Sequence, residues 1–383
     1  MPQQGPLSGI TIVDLSRILA GPYCTLLLAE LGARVIKVEP PQGGDDARQY
    51  GPFRAGKSTY FQSVNRGKQS IALDLKSPEG RQIFERLLDK ADALVENFRP
   101  GTMEKLGFGW ESLHARYPRL VYAAASGFGH TGPFSHYPAY DMVVQGLGGI
   151  MSITGHPGMP LVRIGTSVGD LAGGLFTAVA LNAALVHRER TGEATKVDVA
   201  LFDCQLALLE NAIMRYTVTG EIPGPMGARH PSITPFEAFA TKDGSLIIAA
   251  GNDGLYVKLT EALGRPDLAR DPRYQTNRLR NENQKALRAE IEGVLQREGT
   301  EHWIAVLEAA GVPCGPVNNV AQALAHPQVK ARNMLISVED PQAGTLRLAG
   351  NPMKLAGFAD PPTRPPAPDL DADRDEILRE LGL

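Results

Sequence analysis

The sequence predicts an α/β protein with a large doubly wound, Rossmann-like domain and a smaller α+β domain. Three observations support this prediction. Short β-branched runs alternate with helical segments along the first half of the chain, which favours parallel strands joined by crossover helices. Apolar residues make up 43% of the chain and charged residues 21%, as in ordinary globular proteins. A length of 383 residues is enough for two domains.

The chain begins with a strand, helix and parallel strand pattern. Residues 9–15 form the first predicted strand, 22–31 a helix that stops at Gly32, and 34–39 a second strand that stops at Pro40. No GxGxxG motif follows the first strand, so the dinucleotide-binding fingerprint is absent. Further strands are predicted at 70–75, 94–98, 120–125 and 196–201, and helices at 78–91 and 203–216.

Polar and cationic residues gather where these strands end. A long polar loop at 41–60 is of the kind that is usually functional inside a compact domain. Lys76 and Arg99 each follow a predicted strand, and the carboxyl ends of parallel strands line the ligand crevice of open sheets. These cations indicate an anionic, nucleotide-like ligand, with solvated surface charges as the alternative.

The segment 165–174 places a single acid, Asp170, at the start of a long apolar helix that is predicted to run to about His187. The unpaired N–H groups of a helix N-terminus favour an ionised carboxylate. Flanking glycines leave room for a bulky reactant, and Gly173 with Gly174 weakens the first helical turn for no evident structural gain. We therefore expect Asp170 to be functional, the alternative being an ordinary N-cap residue.

Composition and charge exclude several classes of partner. The net charge is −3 with no basic run, so nucleic-acid and membrane-surface binding are not expected. We find no signal sequence and expect no segment able to span a bilayer, which predicts a cytoplasmic protein. Cys24, Cys204 and Cys314 lack disulfide or metal-like spacing, so we expect three free thiols and no metal site.

A composition break divides the second half of the chain. Residues 219–235 are rich in glycine and proline, which marks a linker or flap between a large domain at 1–218 and a small domain at 236–329. The small domain is predicted to hold two strands within 236–250 and helices near 254–263, 281–297 and 300–310. The C-terminal segment, 330–383, has strands at 335–338 and 345–348, an extended run at 361–368 and a last short helix.

Six segments, in this order and spacing, resemble the family III CoA-transferases, also called the CaiB/BaiF family, over nearly the whole chain. They are Ala20-Gly21-Pro22, 35–39, 65–68, 95–101, 127–129 with 131–133, and Gly169-Asp170. The resemblance implies that 330–383 returns to the large domain and that two subunits form an interlocked, ring-like homodimer. It is closest to members that use succinyl-CoA and dicarboxylic acids.

The resemblance also implies that Asp170 is the catalytic aspartate and that a coenzyme A thioester is the substrate, with no permanently bound cofactor. Asp170 would form a mixed anhydride with the acyl group and then a thioester with coenzyme A, which needs no metal, ATP or general base. Backbone N–H groups at 169–171 would hold the tetrahedral oxyanions.

Several residues match the family's coenzyme A contacts. Those carried over by the resemblance are Ile18, Leu73, Lys76, Asn97, Phe98, Lys105, Leu106 and Leu201, with Arg99 as a further candidate. Cations would meet phosphates, and apolar side chains would meet the adenine and pantetheine arm. For the leucines, simple core packing is the alternative.

The acid-binding side is less well defined. Tyr140 and Asp141 match a family tyrosine–acid pair near the active site. Leu19 stands where some oxalate-using relatives have glutamine, which puts oxalate in doubt as acceptor. Arg229 and His230 would hold the far carboxylate of a dicarboxylic acid, the alternative being a solvated surface arginine on a flexible linker. His130 stands where many relatives have glutamine, and the sequence offers no reason for it.

Two other functions remain open. The α-methylacyl-CoA racemases share this fold family and pair the same aspartate with a histidine, where this chain has Tyr140, a poor proton-transfer partner near neutral pH. A non-catalytic CoA-binding or scaffolding protein is the third possibility.

Overall fold

The computed structural model describes residues 4–383, which divide into two compact units. The first unit comprises 4–151, 163–222 and 327–383, and the second comprises 152–162 and 223–326. The large domain predicted at 1–218 therefore included one segment, 152–162, that belongs to the second unit. One contact that joins this segment to the rest of the second unit is the hydrogen bond from the Gly227 N–H to the Gly155 carbonyl, at 2.8 Å.

Six parallel strands form the central sheet of the first unit. The strands before residue 223 are β1 (Thr11–Asp14), β2 (Arg34–Glu39), β3 (Phe53–Arg54), β4 (Lys57–Ser58), β5 (Gln69–Ala72), β6 (Ala93–Glu96), β7 (Val121–Ser126) and β8 (Lys196–Ala200). The sheet order is β5-β2-β1-β6-β7-β8, and β3 and β4 form a separate small hairpin. The strand order reverses between β1 and β6, so their carboxyl ends frame the crevice where such sheets bind ligands.

Helices cover both faces of this sheet and bury two separate apolar clusters against it. They are α1 (Ala20–Glu30), α2 (Thr59–Asn65), α3 (Pro78–Leu88), α4 (Thr102–Lys105), α5 (Trp110–Arg116), α6 (Asp141–Leu147), α7 (Val168–Thr191), α8 (Leu201–Leu209) and α9 (Asn211–Thr219). The sequence predicted α8 and α9 as one helix, but Glu210 has a φ of 28° and interrupts it. The doubly wound arrangement is thus present.

The second unit packs helices against a three-stranded antiparallel sheet. Its elements are β9 (Phe236–Ala240), β10 (Ser245–Ala249), α10 (Asp253–Ala262), α11 (Asp267–Arg270), α12 (Asn277–Glu282), α13 (Gln284–Leu295), α14 (Thr300–Ala309), β11 (Cys314–Pro316) and α15 (Val320–Ala325). The short strand β11, which pairs with β10, was not predicted from the sequence.

The C-terminal segment forms its own small sheet in the first unit. Its elements are α16 (Pro327–Ala331), β12 (Leu335–Asp340), β13 (Gly344–Ala349), β14 (Thr363–Arg364) and α17 (Arg374–Leu381). The proline-rich run predicted as extended chain supplies β14, which pairs in parallel with β12. Short 3₁₀ turns at Asp46–Gln49 and Ile150–Ile153 complete the elements.

One helix has an unexpected property. By length and composition alone, α7 is long and apolar enough to cross a membrane, so the expectation that no segment would be was wrong. The helix packs on α1 and on strands β7 and β8, with half of its most apolar stretch buried. Core helices of this kind pass the same test because they are apolar on several sides.

The glycines that begin α7 have a structural role that the sequence did not reveal. A Cβ atom on Gly174 would lie 2.6 Å from the Ala20 carbonyl oxygen of α1, and one on Gly173 would lie 3.2 Å from Leu201 Cδ1. Gly174 therefore allows α7 to pack closely on α1, and Gly173 allows it to pack on Leu201 of α8, so both glycines have a structural role.

We expect Gly174→Ala to lower the free energy of unfolding by about 1–2 kcal/mol. The new methyl group would press on a backbone atom, which costs more than the gain of about 1 kcal/mol in helix propensity. Gly293→Ala in α13 is the matched control, because a Cβ there meets nothing within 4 Å and should stabilise the helix. Chemical denaturation of both variants checks the prediction, and equal stabilisation by both would contradict it.

Candidate active site

A cavity of about 950 Å³ lies in the first unit at the carboxyl ends of the central strands. Most of the site residues predicted from the sequence line it. They are Ile18, Leu73, Lys76, Asn97, Phe98, Arg99, Leu106, Tyr140, Asp170 and Leu201. Lys105 is exposed beside Leu106 and is not part of the lining.

At the crevice between β1 and β6, the Asn97 side chain holds the main chain of the loop that follows β1. The Asn97 carboxamide accepts a hydrogen bond from the Arg17 N–H and donates one to the Arg17 carbonyl, both at 2.8 Å. Ile18, the next residue, has a φ of 68°, which is costly for a β-branched side chain. Its N–H donates to Asp45 Oδ1 at 3.0 Å. The loop after β1 is therefore held in a strained shape at the cavity wall.

A buried ionic network lies beneath this loop. Lys68 Nζ contacts Asp14 Oδ2 at 3.0 Å, and both side chains are fully buried. Lys37 Nζ donates to the Ser16 carbonyl at 2.7 Å and lies 2.9 Å from Asp45 Oδ2. Burial alone would raise the pKa of Asp14, but the ammonium groups of Lys68 and Lys37 outweigh it and lower that pKa to about 2. These lysines, from the segments 35–39 and 65–68, thus anchor the loop.

The long polar loop is anchored by a second buried acid. Glu39 accepts two hydrogen bonds from the Arg48 guanidinium, at 2.7 and 2.8 Å, and a third from Ser70 Oγ at 2.7 Å. Residues 42 and 44–46 of this loop line the cavity. The loop therefore contributes to the site, as its length and polarity predicted.

Asp170 is the third residue of α7, is partly buried and lines the cavity. Its side chain makes no hydrogen bond or ion pair with any residue of 4–383. Instead, Asp141 Oδ1 accepts the Gly169 N–H at 2.8 Å, and Asp141 Oδ2 accepts from Gln145 Nε2 at 2.8 Å. The Asp170 carboxylate is thus left without a partner in the described chain, while Asp141 accepts the N–H at the start of the helix.

The structure differs from one expectation about this helix end and in part from a second. Burial and repulsion by Asp141 raise the pKa of Asp170 to about 7, whereas the helix N-terminus was expected to favour the ionised form. The N–H groups of 169–171 were expected to hold an oxyanion. Those of Gly169 and Leu171 are already engaged, by Asp141 and by the Ser167 carbonyl respectively, so the role of the Asp170 N–H stays a prediction.

His130 has a structural explanation outside the cavity lining. Its N–H donates to the Asp198 carboxylate, and its Nδ1 lies 3.0 Å from Lys196 Nζ. Its Nε2 lies 3.7 Å from Glu96 Oε1. Burial and the Lys196 ammonium lower the pKa of His130, and burial raises the pKa of Glu96 to about 7. Glu96 in turn accepts the Phe98 N–H at 2.7 Å, which links this cluster to the turn that lines the cavity.

Arg229 and His230 lie in the second unit, where both contact neighbours of that unit. Arg229 Nη2 donates to Asn281 Oδ1 at 3.3 Å, and the His230 N–H donates to the Phe236 carbonyl at 2.9 Å. Their role in binding an acid stays a prediction.

No group of three or more metal-ligating side chains comes together among residues 4–383, and the three cysteines are free there. Five further charged residues line the cavity that were not among the predicted site residues: Arg17, Glu39, Asp45, Asp46 and Asp74. Their positions were the signal in the sequence, because each lies at the end of a strand or in the long polar loop.

A family model described as CoA-transferase family III matches residues 7–374. The chain belongs to CoA-transferase family III. It is 47% identical to the acetyl-CoA:oxalate CoA-transferase of Acetobacter aceti, covering 99% of this chain and 96% of that relative. It is 39% identical to the succinate–glutarate CoA-transferase of Agrobacterium fabrum, covering 98% and 96%. A crystal structure of a CaiB/BaiF family protein from Brucella suis superposes with a TM-score of 0.86 at 41% identity, covering 99% and 100%. The resemblance seen in the sequence of this family III CoA-transferase is therefore confirmed.

Proposed function

We propose that this family III CoA-transferase moves coenzyme A from an acyl-CoA to a dicarboxylic acid, with Asp170 as covalent nucleophile. The observation that carries the proposal is the unpartnered Asp170 carboxylate in the wall of a cavity large enough for a nucleotide. Lys76 and Arg99 line the same cavity and suit the phosphates of coenzyme A.

The reaction proceeds by two exchanges on one side chain. An Asp170 oxygen attacks the thioester carbonyl and the C–S bond breaks. Coenzyme A leaves as a thiolate, and the acyl group stays on Asp170 as a mixed anhydride. The thiolate attacks the aspartyl carbonyl and releases the first acid as a carboxylate. The acceptor carboxylate then attacks the aspartyl thioester and releases the thiolate, which forms a second mixed anhydride. The thiolate attacks the acyl carbonyl of this anhydride, so the new acyl-CoA forms and the Asp170 carboxylate is released. Each overall cycle exchanges one thioester for another, so no ATP is required.

The choice of a dicarboxylic acceptor rests on the relatives. Several relatives at 38–47% identity are named for oxalate, glutarate, mesaconate or D-citramalate, all dicarboxylic acids. Because the Acetobacter relative is named for oxalate, oxalate is again a candidate acceptor, although Leu19 had put it in doubt. Acetyl-CoA and succinyl-CoA are the donors to test first.

A donor and acceptor panel tests the proposal. Acetyl-CoA and succinyl-CoA are each incubated with oxalate, glutarate, mesaconate and D-citramalate, with acetate and butyrate as monocarboxylate controls. We expect mass spectrometry to detect a new dicarboxylyl-CoA and the released donor acid in equal amounts. Hydrolysis alone, or transfer only to the monocarboxylates, would refute the proposed function.

We expect Arg229→Ala to raise the KM for the dicarboxylate by about tenfold and to leave the KM for the acyl-CoA unchanged. A guanidinium can bind a carboxylate through two parallel hydrogen bonds, which alanine cannot replace. Steady-state kinetics with each substrate varied in turn separates the two constants, and His230→Ala is measured alongside. An equal rise in both KM values would remove Arg229 from the acceptor site.

The pH dependence should report Asp170. Only its ionised form is nucleophilic, so kcat/KM should fall as the pH drops through about 7. Asp141→Asn removes the repulsion that contributes to the raised pKa, so the fall should move to lower pH. Glu111→Gln, an exposed acid away from the cavity, is the control and should leave the profile unchanged. A profile that is flat from pH 6 to 8 would contradict the assignment.

We also propose a cytoplasmic homodimer with interlocked subunits, as the resemblance implies. Apolar side chains of α7 support an interface, because Leu175, Phe176, Val179 and Val186 are 43–66% exposed. Light scattering should give twice the subunit mass of 41.2 kDa. A monomer at micromolar concentration would contradict the dimer.

The racemase remains the second candidate because a carboxyl pKa near 7 also suits proton transfer. Against it, no histidine lines the cavity within residues 4–383. Incubation of a 2-methylacyl-CoA in D₂O separates the two reactions, since a racemase incorporates deuterium at the α-carbon and a transferase does not.

A further inference from the structure

One ion pair at the cavity wall has no role in the mechanism described above. Arg17 follows β1, Asp46 begins the 3₁₀ turn of the long polar loop, and both line the cavity. The Arg17 guanidinium donates to Asp46 Oδ2, and both side chains are nearly half exposed, at 48% and 47%. The pair therefore joins two loops across solvent-accessible space.

The other cavity charges are arranged differently. The acids Glu39 and Asp45 are buried and paired with Arg48 and Lys37 respectively. The cations Lys76 and Arg99 have no carboxylate partner among residues 4–383. Among the pairs described here, Arg17 with Asp46 alone joins two exposed, cavity-lining groups that a ligand can reach.

We propose that Arg17 is a phosphate-binding residue for coenzyme A and that Asp46 is an internal competitor which the phosphates displace. The proposal rests on the proposed function, because it takes coenzyme A as the occupant of this cavity. A phosphate offers more negative charge than a carboxylate and the same two-pronged geometry to a guanidinium. An exposed ion pair is worth only about 0–1 kcal/mol, so the exchange is energetically accessible.

The main chain shows why this exchange needs only a side-chain rotation. Both backbone polar groups of Arg17 are held by Asn97, and the next N–H, of Ile18, is held by Asp45. The guanidinium can therefore leave Asp46 without moving the loop that shapes the cavity. Once freed, the Asp46 carboxylate repels the phosphates, which limits affinity and favours release of the product thioester.

The two partners of the pair should then have opposite effects on binding. Isothermal titration with coenzyme A is carried out on the wild-type protein, Arg17→Gln and Asp46→Asn. We expect Arg17→Gln to raise the Kd about tenfold and Asp46→Asn to lower it about threefold. Pantetheine, which lacks the phosphates, should bind all three proteins equally. Glu85→Gln controls for net charge, since Glu85 forms a similarly exposed pair with Arg116 outside the cavity lining.

Each outcome has a defined meaning. Opposite shifts for coenzyme A, with none for pantetheine or for Glu85→Gln, support the exchange. If both substitutions weaken coenzyme A binding, the pair is a structural tie between the loops and the inference is wrong. If Asp46→Asn and Glu85→Gln tighten binding equally, the effect is that of overall charge and the inference is also wrong. If the wild-type protein does not bind coenzyme A, the proposed function itself fails.

Discussion

Asp170→Asn should lower kcat for CoA transfer on the order of 10⁴-fold or more, while coenzyme A still binds. Asparagine has the same shape but cannot form the anhydride or the thioester, so both exchanges are lost together. Because the Asp170 side chain has no hydrogen-bond partner in the described chain, the substitution breaks no contact. The loss should therefore appear in kcat and not in the Kd for coenzyme A, measured by turnover and by titration.

Trapping provides the positive counterpart of that loss. Incubation of the wild-type protein with acyl-CoA and hydroxylamine should inactivate it, because hydroxylamine attacks the activated aspartyl carbonyl and leaves a hydroxamate on Asp170. Peptide mass spectrometry locates the modification, and Asp170→Asn serves as the unlabelled control. A label elsewhere would contradict the mechanism. If the Asp170→Asn variant keeps the protein's biological role, the non-catalytic CoA-binding hypothesis is favoured.

Stability provides a check that the variant is folded. The pKa of Asp170 is raised to about 7 in the folded protein from 3.8, so its ionisation opposes folding. That penalty is absent below pH 4, grows as the pH rises to 7 and is constant above it. Relative to the wild-type protein, Asp170→Asn should therefore gain melting temperature between pH 4 and 7. A stabilised but inactive variant separates chemistry from folding.

The surroundings of Asp170 account for its raised pKa. In many proteins an acid in the first turn of a helix is satisfied by the free N–H groups. Here Asp141 takes that role by accepting the Gly169 N–H, and its negative charge lies close enough to raise the pKa of Asp170. Within the described chain the Asp170 carboxylate therefore has no hydrogen-bond donor to stabilise its charge, and it is partly protonated near neutral pH.

The sequence predicted the strands of the central sheet well because their signals are local, whereas the short helices α2, α4, α5 and α6 and the hairpin of β3 and β4 were not predicted. Hydrophobic periodicity located every strand of the central sheet to within a few residues, and the motifs placed the cavity residues. What it missed depends on contacts between distant segments. The close approach of Gly174 to Ala20, the grouping of 152–162 with the second unit and the pKa of Asp170 each require the folded chain.

The buried network shows the same limit. Nothing in the segment 65–68 indicates that Lys68 lies fully buried against an acid 54 residues away. A lysine between a helix and a strand is normally a solvated surface residue. Only the meeting of α1, β1 and the turn before β5 places Asp14, Thr25 and Asn65 around its ammonium group.

Lys68→Met should therefore destabilise the first unit by about 3–5 kcal/mol, because it leaves the Asp14 carboxylate buried with one cation fewer. The contacts of the three Lys68 Nζ–H donors with four acceptors, at 2.8–3.1 Å, are lost at the same time. Denaturant unfolding measures the change. Lys285→Met in α13 is the control, since that lysine is exposed and should tolerate the change within about 0.5 kcal/mol.

The double variant Asp14→Asn with Lys68→Met distinguishes a lost charge balance from lost packing. Removing both charges takes away the uncompensated carboxylate, so the double variant should recover part of the stability lost by Lys68→Met alone. Asparagine keeps one side-chain oxygen, which can still accept the Ser16 N–H, so the loop that holds Ile18 keeps this anchor. The coenzyme A affinity of the double variant should therefore stay close to that of the wild-type protein, and a clear loss of affinity would mean that the buried ion pair itself shapes the cavity.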